Sequence, residues 1–195
     1  DLPRLEYPRP LLRREQWLNL NGVWAFKPDP ADLGQAGSWY VPAQWPDEGS
    51  TEITVPYAPG SQASGVDWAE PANVVWYRRL FDRPDWSAQD VLLNIGACDY
   101  TTDVYLNGHH VCRHQGGYSP VQRAIGRFLQ ETDNVLVVRA ADTDSWQQPR
   151  GKQAGDTRWP IDYDAVMGIW QSVWLEPTQQ NYGRSIFSRY EVGSR

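Results

Sequence analysis

The sequence predicts an all-β fold of the sandwich or barrel kind, and three observations carry that expectation. Short β-branched and aromatic runs alternate with turn residues along the chain. Tryptophan, proline and glycine are abundant, at eleven, fifteen and sixteen of 195 residues. Helical spacing is confined to Val121, Ile125, Phe128 and Leu129, which predicts no more than a helical turn near 125–130.

Gly22 to Lys27 predicts a first strand with Trp24 and Phe26 on one face. Residues 74–81, Val-Val-Trp-Tyr-Arg-Arg-Leu-Phe, suit a strand with one face in the core. Val91 to Ile95 is apolar enough to be buried on both faces, and it stops at Gly96. Residues 98–106 and 110–117 read as a hairpin about Asn107-Gly108, a pair whose backbones both accept positive φ. A two-residue loop places Leu106 opposite His109 and Cys112 opposite Asp103. Cys98 and Cys112 therefore do not face one another, and both are expected as buried free thiols. Asn134 to Ala140 alternates as a strand, and Ile169 to Glu176 reads as one closing strand. Two long stretches, 28–50 and 141–168, show no periodicity, and loops of that length tend to carry function.

A net charge of −6 argues against nucleic acid or an anionic membrane as partner, since both reward clustered cations. No apolar run approaches the ~20 residues of a helical membrane span. Two cysteines make a poor disulfide framework. Neither they nor the histidines stand at zinc spacing, so no metal site is expected. Nothing fixes a compartment or an oligomeric state; the cytoplasm is the default reading.

The landmarks then form an ordered series. Tyr7-Pro8-Arg9-Pro10 precedes Trp17-Leu18-Asn19-Leu20-Asn21-Gly22-Val23-Trp24. Next come Ile53-Thr54-Val55-Pro56-Tyr57, Trp76-Tyr77-Arg78-Arg79, Gly96-Ala97-Cys98-Asp99-Tyr100 and Val104-Tyr105-Leu106-Asn107-Gly108. His114-Gln115-Gly116-Gly117-Tyr118-Ser119-Pro120, Asn134 to Arg139, Arg150-Gly151-Lys152-Gln153 and Gly168 to Glu176 close it. In this order the chain resembles the amino-terminal sugar-binding domain of glycoside hydrolase family 2, the β-galactosidase, β-glucuronidase and β-mannosidase group. The resemblance covers roughly residues 5–177. It implies a jelly-roll β-sandwich of the galactose-binding-domain type over residues 1–177. Residues 178–195 would then be a linker or the first strand of a following immunoglobulin-like domain, with a catalytic (β/α)₈ barrel beyond.

On that resemblance the catalytic glutamates lie on the barrel, which needs about 250 residues of its own. A retaining glycosidase needs two carboxyl groups roughly 5–5.5 Å apart, and no motif here pairs two glutamates. The expectation is a non-catalytic domain whose partners are carbohydrate and the parent enzyme's other domains. Ser119 and Ser172 lack His and Asp at recognisable spacing. His109, His110 and His114 read as hairpin and loop residues. Asp142-Thr143-Asp144 is a fragment of a calcium-loop pattern without its glycine and closing glutamate. Sandwiches of this type often carry a structural cation, so calcium is the one cofactor left open.

The resemblance also nominates substrate-binding residues. An aspartate in the loop before the Gly-Ile-aromatic motif reaches the barrel's pocket in some members, and Asp162 stands at that place with Tyr163 beside it. A carboxylate there would accept charge-assisted bonds from sugar hydroxyls; a solvated loop aspartate is the plain alternative. Arg150 and its neighbours Gly151-Lys152-Gln153 would order the same loop or dock it. The alternative function is a free-standing carbohydrate-binding module that stacks sugars on the loop indoles Trp39, Trp45, Trp68, Trp146 and Trp159. Trp24, Trp76 and Trp174 fall in strand frames and belong to the core. A third reading is a purely structural sandwich.

Overall fold

The computed structural model describes residues 2–68, 71–143, 145, 147–153, 161, 163–179, 182, 183, 186 and 189. Its strands are β1 (Leu18–Asn19), β2 (Gly22–Pro28), β3 (Thr51–Val55), β4 (Val74–Phe81), β5 (Asp90–Ile95) and β6 (Cys98–Asp99). They continue as β7 (Thr101–Leu106), β8 (His109–Gln115), β9 (Val121–Ala124), β10 (Asn134–Ala141), β11 (Gly168–Ile169) and β12 (Val173–Thr178). All ladders between them are antiparallel: a four-stranded sheet β1-β12-β5-β9, a six-stranded sheet β3-β2-β4-β10-β7-β8, and the short pair β11-β6. The fold is the expected all-β sandwich. The helical turn expected near 125–130 is a 3₁₀ turn at Gly126–Phe128.

Alternation along the strands decides which side chains fill the space between the sheets. Trp24 and Phe26 of β2, Tyr77 of β4, Leu93 of β5, Leu136 and Val138 of β10 and Leu175 of β12 meet there. Val138 illustrates the register, paired with Tyr77 on one side and Val104 on the other. Trp24 satisfies its indole N–H on the Leu20 carbonyl, 2.8 Å away.

A second core lies on the outer face of the six-stranded sheet, made by Trp45, Val74, Trp76, Tyr105, Val135 and Val137. The stretch 28–50 covers it. Buried Asp29 anchors that stretch, its carboxylate accepting the backbone N–H groups of Leu33 and Gly34 and the indole N–H of Trp76. This cover explains why seven of the eight residues of β10 are buried, although antiparallel sheets often leave one face wet.

Two register expectations need correction. The hairpin turns at Asn107 (φ 52°) and Gly108 (φ 82°), and Tyr105 faces His110 as a two-residue loop requires. A bulge between Val104 and Tyr105 then shifts the pairing, so Cys112 faces Val104 and Asp103 faces Arg113. The gain is electrostatic: Arg113 reaches the buried Asp103 carboxylate through two hydrogen bonds, at 2.8 and 2.9 Å. Both cysteines are free and buried. The closing strand is not continuous either. Ile169 ends β11, paired to Cys98, and the chain crosses to the other sheet before Val173 opens β12. Gly168, at φ 78°, opens β11, and Trp170-Gln171-Ser172 carry the chain across.

The outer face of the four-stranded sheet is covered by the amino-terminal segment. Glu176 is fully buried there and accepts bonds from Tyr7 Oη (2.6 Å), Arg14 Nε (2.6 Å), Trp174 Nε1 (2.6 Å) and Arg9 (3.4 Å).

Candidate functional site

The site is built at the end of the sandwich where β6 meets β11. Gly168 pairs with Asp99 and Ile169 with Cys98. Tyr77 stands behind the pair, its hydroxyl oxygen accepting the Ile169 N–H at 3.3 Å. A Cβ on Gly168 would lie 2.1 Å from that oxygen, so the close approach and the positive φ both require glycine.

Asp99 is 5% exposed. Its carboxyl is pushed up to about 6, by burial first and by the negative charge of Asp142 second, while the Gln153 side chain pulls the other way. Gly117 lies over the carboxylate, and the Gly117 carbonyl accepts the indole N–H of Trp170 at 2.8 Å. Tyr118 in turn packs edge-on against Trp170, with ring centroids 5.9 Å apart.

Above this floor two parts of the long loop run side by side. Tyr163 donates its N–H to the Lys152 carbonyl at 2.9 Å, and Gln153 and Tyr163 form a parallel bridge. Gln153 Oε1 accepts the N–H of Val166 at 2.5 Å. The structure therefore brings Tyr163 together with the Arg150–Gln153 segment, as the sequence suggested. Arg150 is half-buried, whereas Tyr163 and its neighbour Ile161 are exposed. Asp162 lies outside the described residues. Beside this loop is a shallow cleft of about 310 Å³, lined by Tyr100, Thr101, Gln115, Ala141, Thr143, Ser145, Gln147 and Gln148. Its uncharged hydroxyl and amide groups can donate to and accept from a polyol.

Among the described residues, the loop indoles do not form the stacking platforms that a binding module would need. Trp45 is buried beneath Arg78, Trp39 packs edge-on against Trp76, and Trp68 packs against Phe26. Trp146 and Trp159 lie outside the described residues. Trp24, Trp76 and Trp174 are core residues, as expected.

Ser119, expected to lack a histidine, has one: His114 Nε2 is 3.0 Å from its Oγ on an exposed loop. Ser172 Oγ accepts from Asn21. His110 approaches Asp103 at 3.5 Å. No group of three or more His, Cys, Asp or Glu is placed to hold a metal among the described residues, and Asp144 is not one of them.

Sequence reasoning missed the role of Asp99, which stood out only as part of a motif. The adjacent glycines Gly116-Gly117 were the available signal. One of them makes room for a buried carboxylate, and its partner sits at φ 129°.

Comparison with known proteins follows the same geometry. Residues 17–178 match the family described as "Glycosyl hydrolases family 2, sugar binding domain". A β-glucuronidase of Paenibacillus borealis is 28% identical over 162 residues, 80% of this chain and 26% of that protein. The β-glucuronidase of Canis lupus familiaris is 32% identical over 132 residues, 64% of this chain and 20% of that protein. Among solved structures, a β-glucuronidase from an uncultured Clostridium superposes with a TM-score of 0.69 at 25% identity, covering 90% of this chain and 31% of the other. The Ruminococcus gnavus β-glucuronidase bound to D-glucaro 1,5-lactone shares the fold, with a TM-score of 0.66 at 22% identity, covering 87% and 30%. The chain thus spans about a quarter or less of the length of these two curated relatives.

Proposed function

The chain belongs to the sugar-binding domain family of the glycosyl hydrolases family 2, and from that premise we propose that it is the non-catalytic sandwich of a glycosidase of the β-glucuronidase type. In this reading it braces a catalytic barrel carried by further polypeptide and lends its long loop to the substrate pocket. Residues 1–177 form the sandwich, and residues 178–195 lead toward an immunoglobulin-like domain.

One observation carries the reading: the loop segment bearing Tyr163 is tied to the sandwich by backbone and side-chain bonds while its own side chains point outward. Tyr163 is 65% exposed and Ile161 67%. Exposed apolar groups on a segment held in place suit a surface that another domain or a ligand covers. Between them stands Asp162, whose carboxylate would accept bonds from two neighbouring sugar hydroxyls. Arg150 would order the same loop or dock it, with Lys152 and Gln153.

Asp162→Asn in the complete enzyme tests the assignment. Loss of a charge-assisted bond costs about 1.5–3 kcal/mol, so kcat/KM should fall more than about tenfold. An unchanged kcat/KM removes Asp162 from the pocket.

A further inference from the structure

We infer that Gln153 is a positioning residue, a bridge that fixes the Tyr163–Val166 segment by joining the backbone of Val166 to the buried carboxylate of Asp99. The Val166 end stands on a hydrogen bond of 2.5 Å and the Asp99 end is the inference; the consequence for sugar recognition rests on the function proposed above.

The long loop leaves β10 at Ala141 and returns at Gly168. A loop of that length has many accessible shapes, and one side-chain pin near its middle removes more of them than a pin at either end. Gln153 is placed there. Its own N–H donates to the Arg150 carbonyl at 3.2 Å, closing a turn, and its neighbour Lys152 receives the Tyr163 N–H. The orientation of its amide follows from Val166: a backbone N–H requires an acceptor, so Oε1 faces Val166 and the NH₂ end is turned away. A donor belongs against Asp99, and the Gln153 side chain offsets part of the rise that burial imposes on that carboxyl.

The far end of the bridge is immobile. Asp99 sits in a strand pair with Gly168, and Gly117 covers it with no room for even a methyl group. A surface glutamine would ordinarily be free to change rotamer. This one is half-buried, with Oε1 committed to Val166 and the other end of its amide left to face Asp99.

Amide hydrogen exchange on the 195-residue chain tests the bridge, with Leu93 and Val138 of the core as internal controls. Gln153→Ala removes both contacts. Exchange at Tyr163 and Val166 should rise about tenfold or more, with the controls unchanged. Gln153→Glu retains an acceptor for Val166 but sets a carboxylate against Asp99, and should raise exchange at both amides as well. Unchanged protection at Val166 in Gln153→Ala overturns the bridge, and wild-type protection in Gln153→Glu overturns its anchorage on Asp99. Steady-state kinetics of Gln153→Ala in the complete enzyme separates the two readings. A raised KM alongside faster exchange supports both, while faster exchange with unaltered kinetics leaves the bridge standing and removes the loop from the pocket.

Discussion

Gly117 rests directly on the carboxylate of Asp99, so closely that an added Cβ would lie 2.2 Å from Oδ1. The contact is steric rather than conformational, and it places a backbone over a buried acid that a larger residue would leave no room for. Gly117→Ala is therefore expected to lower stability by about 1–3 kcal/mol, measured by urea unfolding. Asp99→Ala should recover part of that loss in the double variant, because it removes the atom in conflict. Equal costs of Gly117→Ala in both backgrounds would show that the clash is not with Asp99.

The same carboxyl makes stability depend on pH. Its value in the folded chain, about 6, lies above its ordinary 3.8. Between those limits the folded state binds more protons than the unfolded, so stability declines as pH rises through the window and stays lower above it. Its contribution is complete below about pH 4. The melting temperature should drop by a few degrees between pH 4 and 7, and Asp99→Asn should flatten that segment of the profile. An identical slope in the variant assigns the dependence to another group.

Alternation along β2, β4 and β10 named their strands correctly, because a two-residue period leaves the same trace whichever sheet a strand joins. The period does not reveal where a strand changes sheets. Ile169 and Val173 share one alternating frame but sit in different sheets, separated by Trp170-Gln171-Ser172. The bulge at Val104 was likewise silent, since both registers keep Val104 inside; what decides between them is Arg113 finding Asp103. Loop tryptophans misled for a third reason. Residues 28–50 carry no periodic pattern because they pack as an irregular cover over a sheet face, and Trp45 is core without lying in a strand. Of the site, the Arg150–Gln153 segment and Tyr163 were legible as neighbours. Asp99 was not, because burial of a carboxylate depends on partners distant in sequence.

Glu176 holds the amino-terminal segment to the sandwich. Truncation to alanine would strand two guanidinium groups, a phenol and an indole N–H that now converge on one buried carboxylate. Removing one partner of a buried ion pair costs about 3–5 kcal/mol, and Glu176→Ala is expected in that range by urea unfolding. Tyr7 supplies a local readout. Burial raises its hydroxyl, the bond to Glu176 adds to the rise, and the variant should titrate closer to an ordinary tyrosine. A cost below about 1 kcal/mol would mean that the segment is held by apolar contacts instead.

Both thiols should be silent in the folded protein. Burial pushes Cys98 up to about 12 and raises Cys112 as well, which starves each of the thiolate that reacts. Ellman's reagent at pH 8 should titrate neither thiol in buffer and both in denaturant. Rapid reaction at Cys112 without denaturant would show that β8, at the edge of its sheet, opens locally.

The chain should hydrolyse no glycoside by itself, and among the described residues the reason lies in where the acids are. A retaining mechanism needs one ionised and one protonated carboxyl, both open to the same glycosidic bond. Asp99 is a carboxyl held toward its protonated form, by burial first and by the charge of Asp142 second. Access fails, however, because Asp99 is buried and covered by Gly117. Glu176, the one buried glutamate among the described residues, is committed to two arginines. A nitrophenyl β-glucuronide should therefore show no release above buffer at any pH from 4 to 8. Release that survives repurification and vanishes in Asp99→Asn would mean that the carboxylate is reached after all, and that the sandwich carries chemistry of its own.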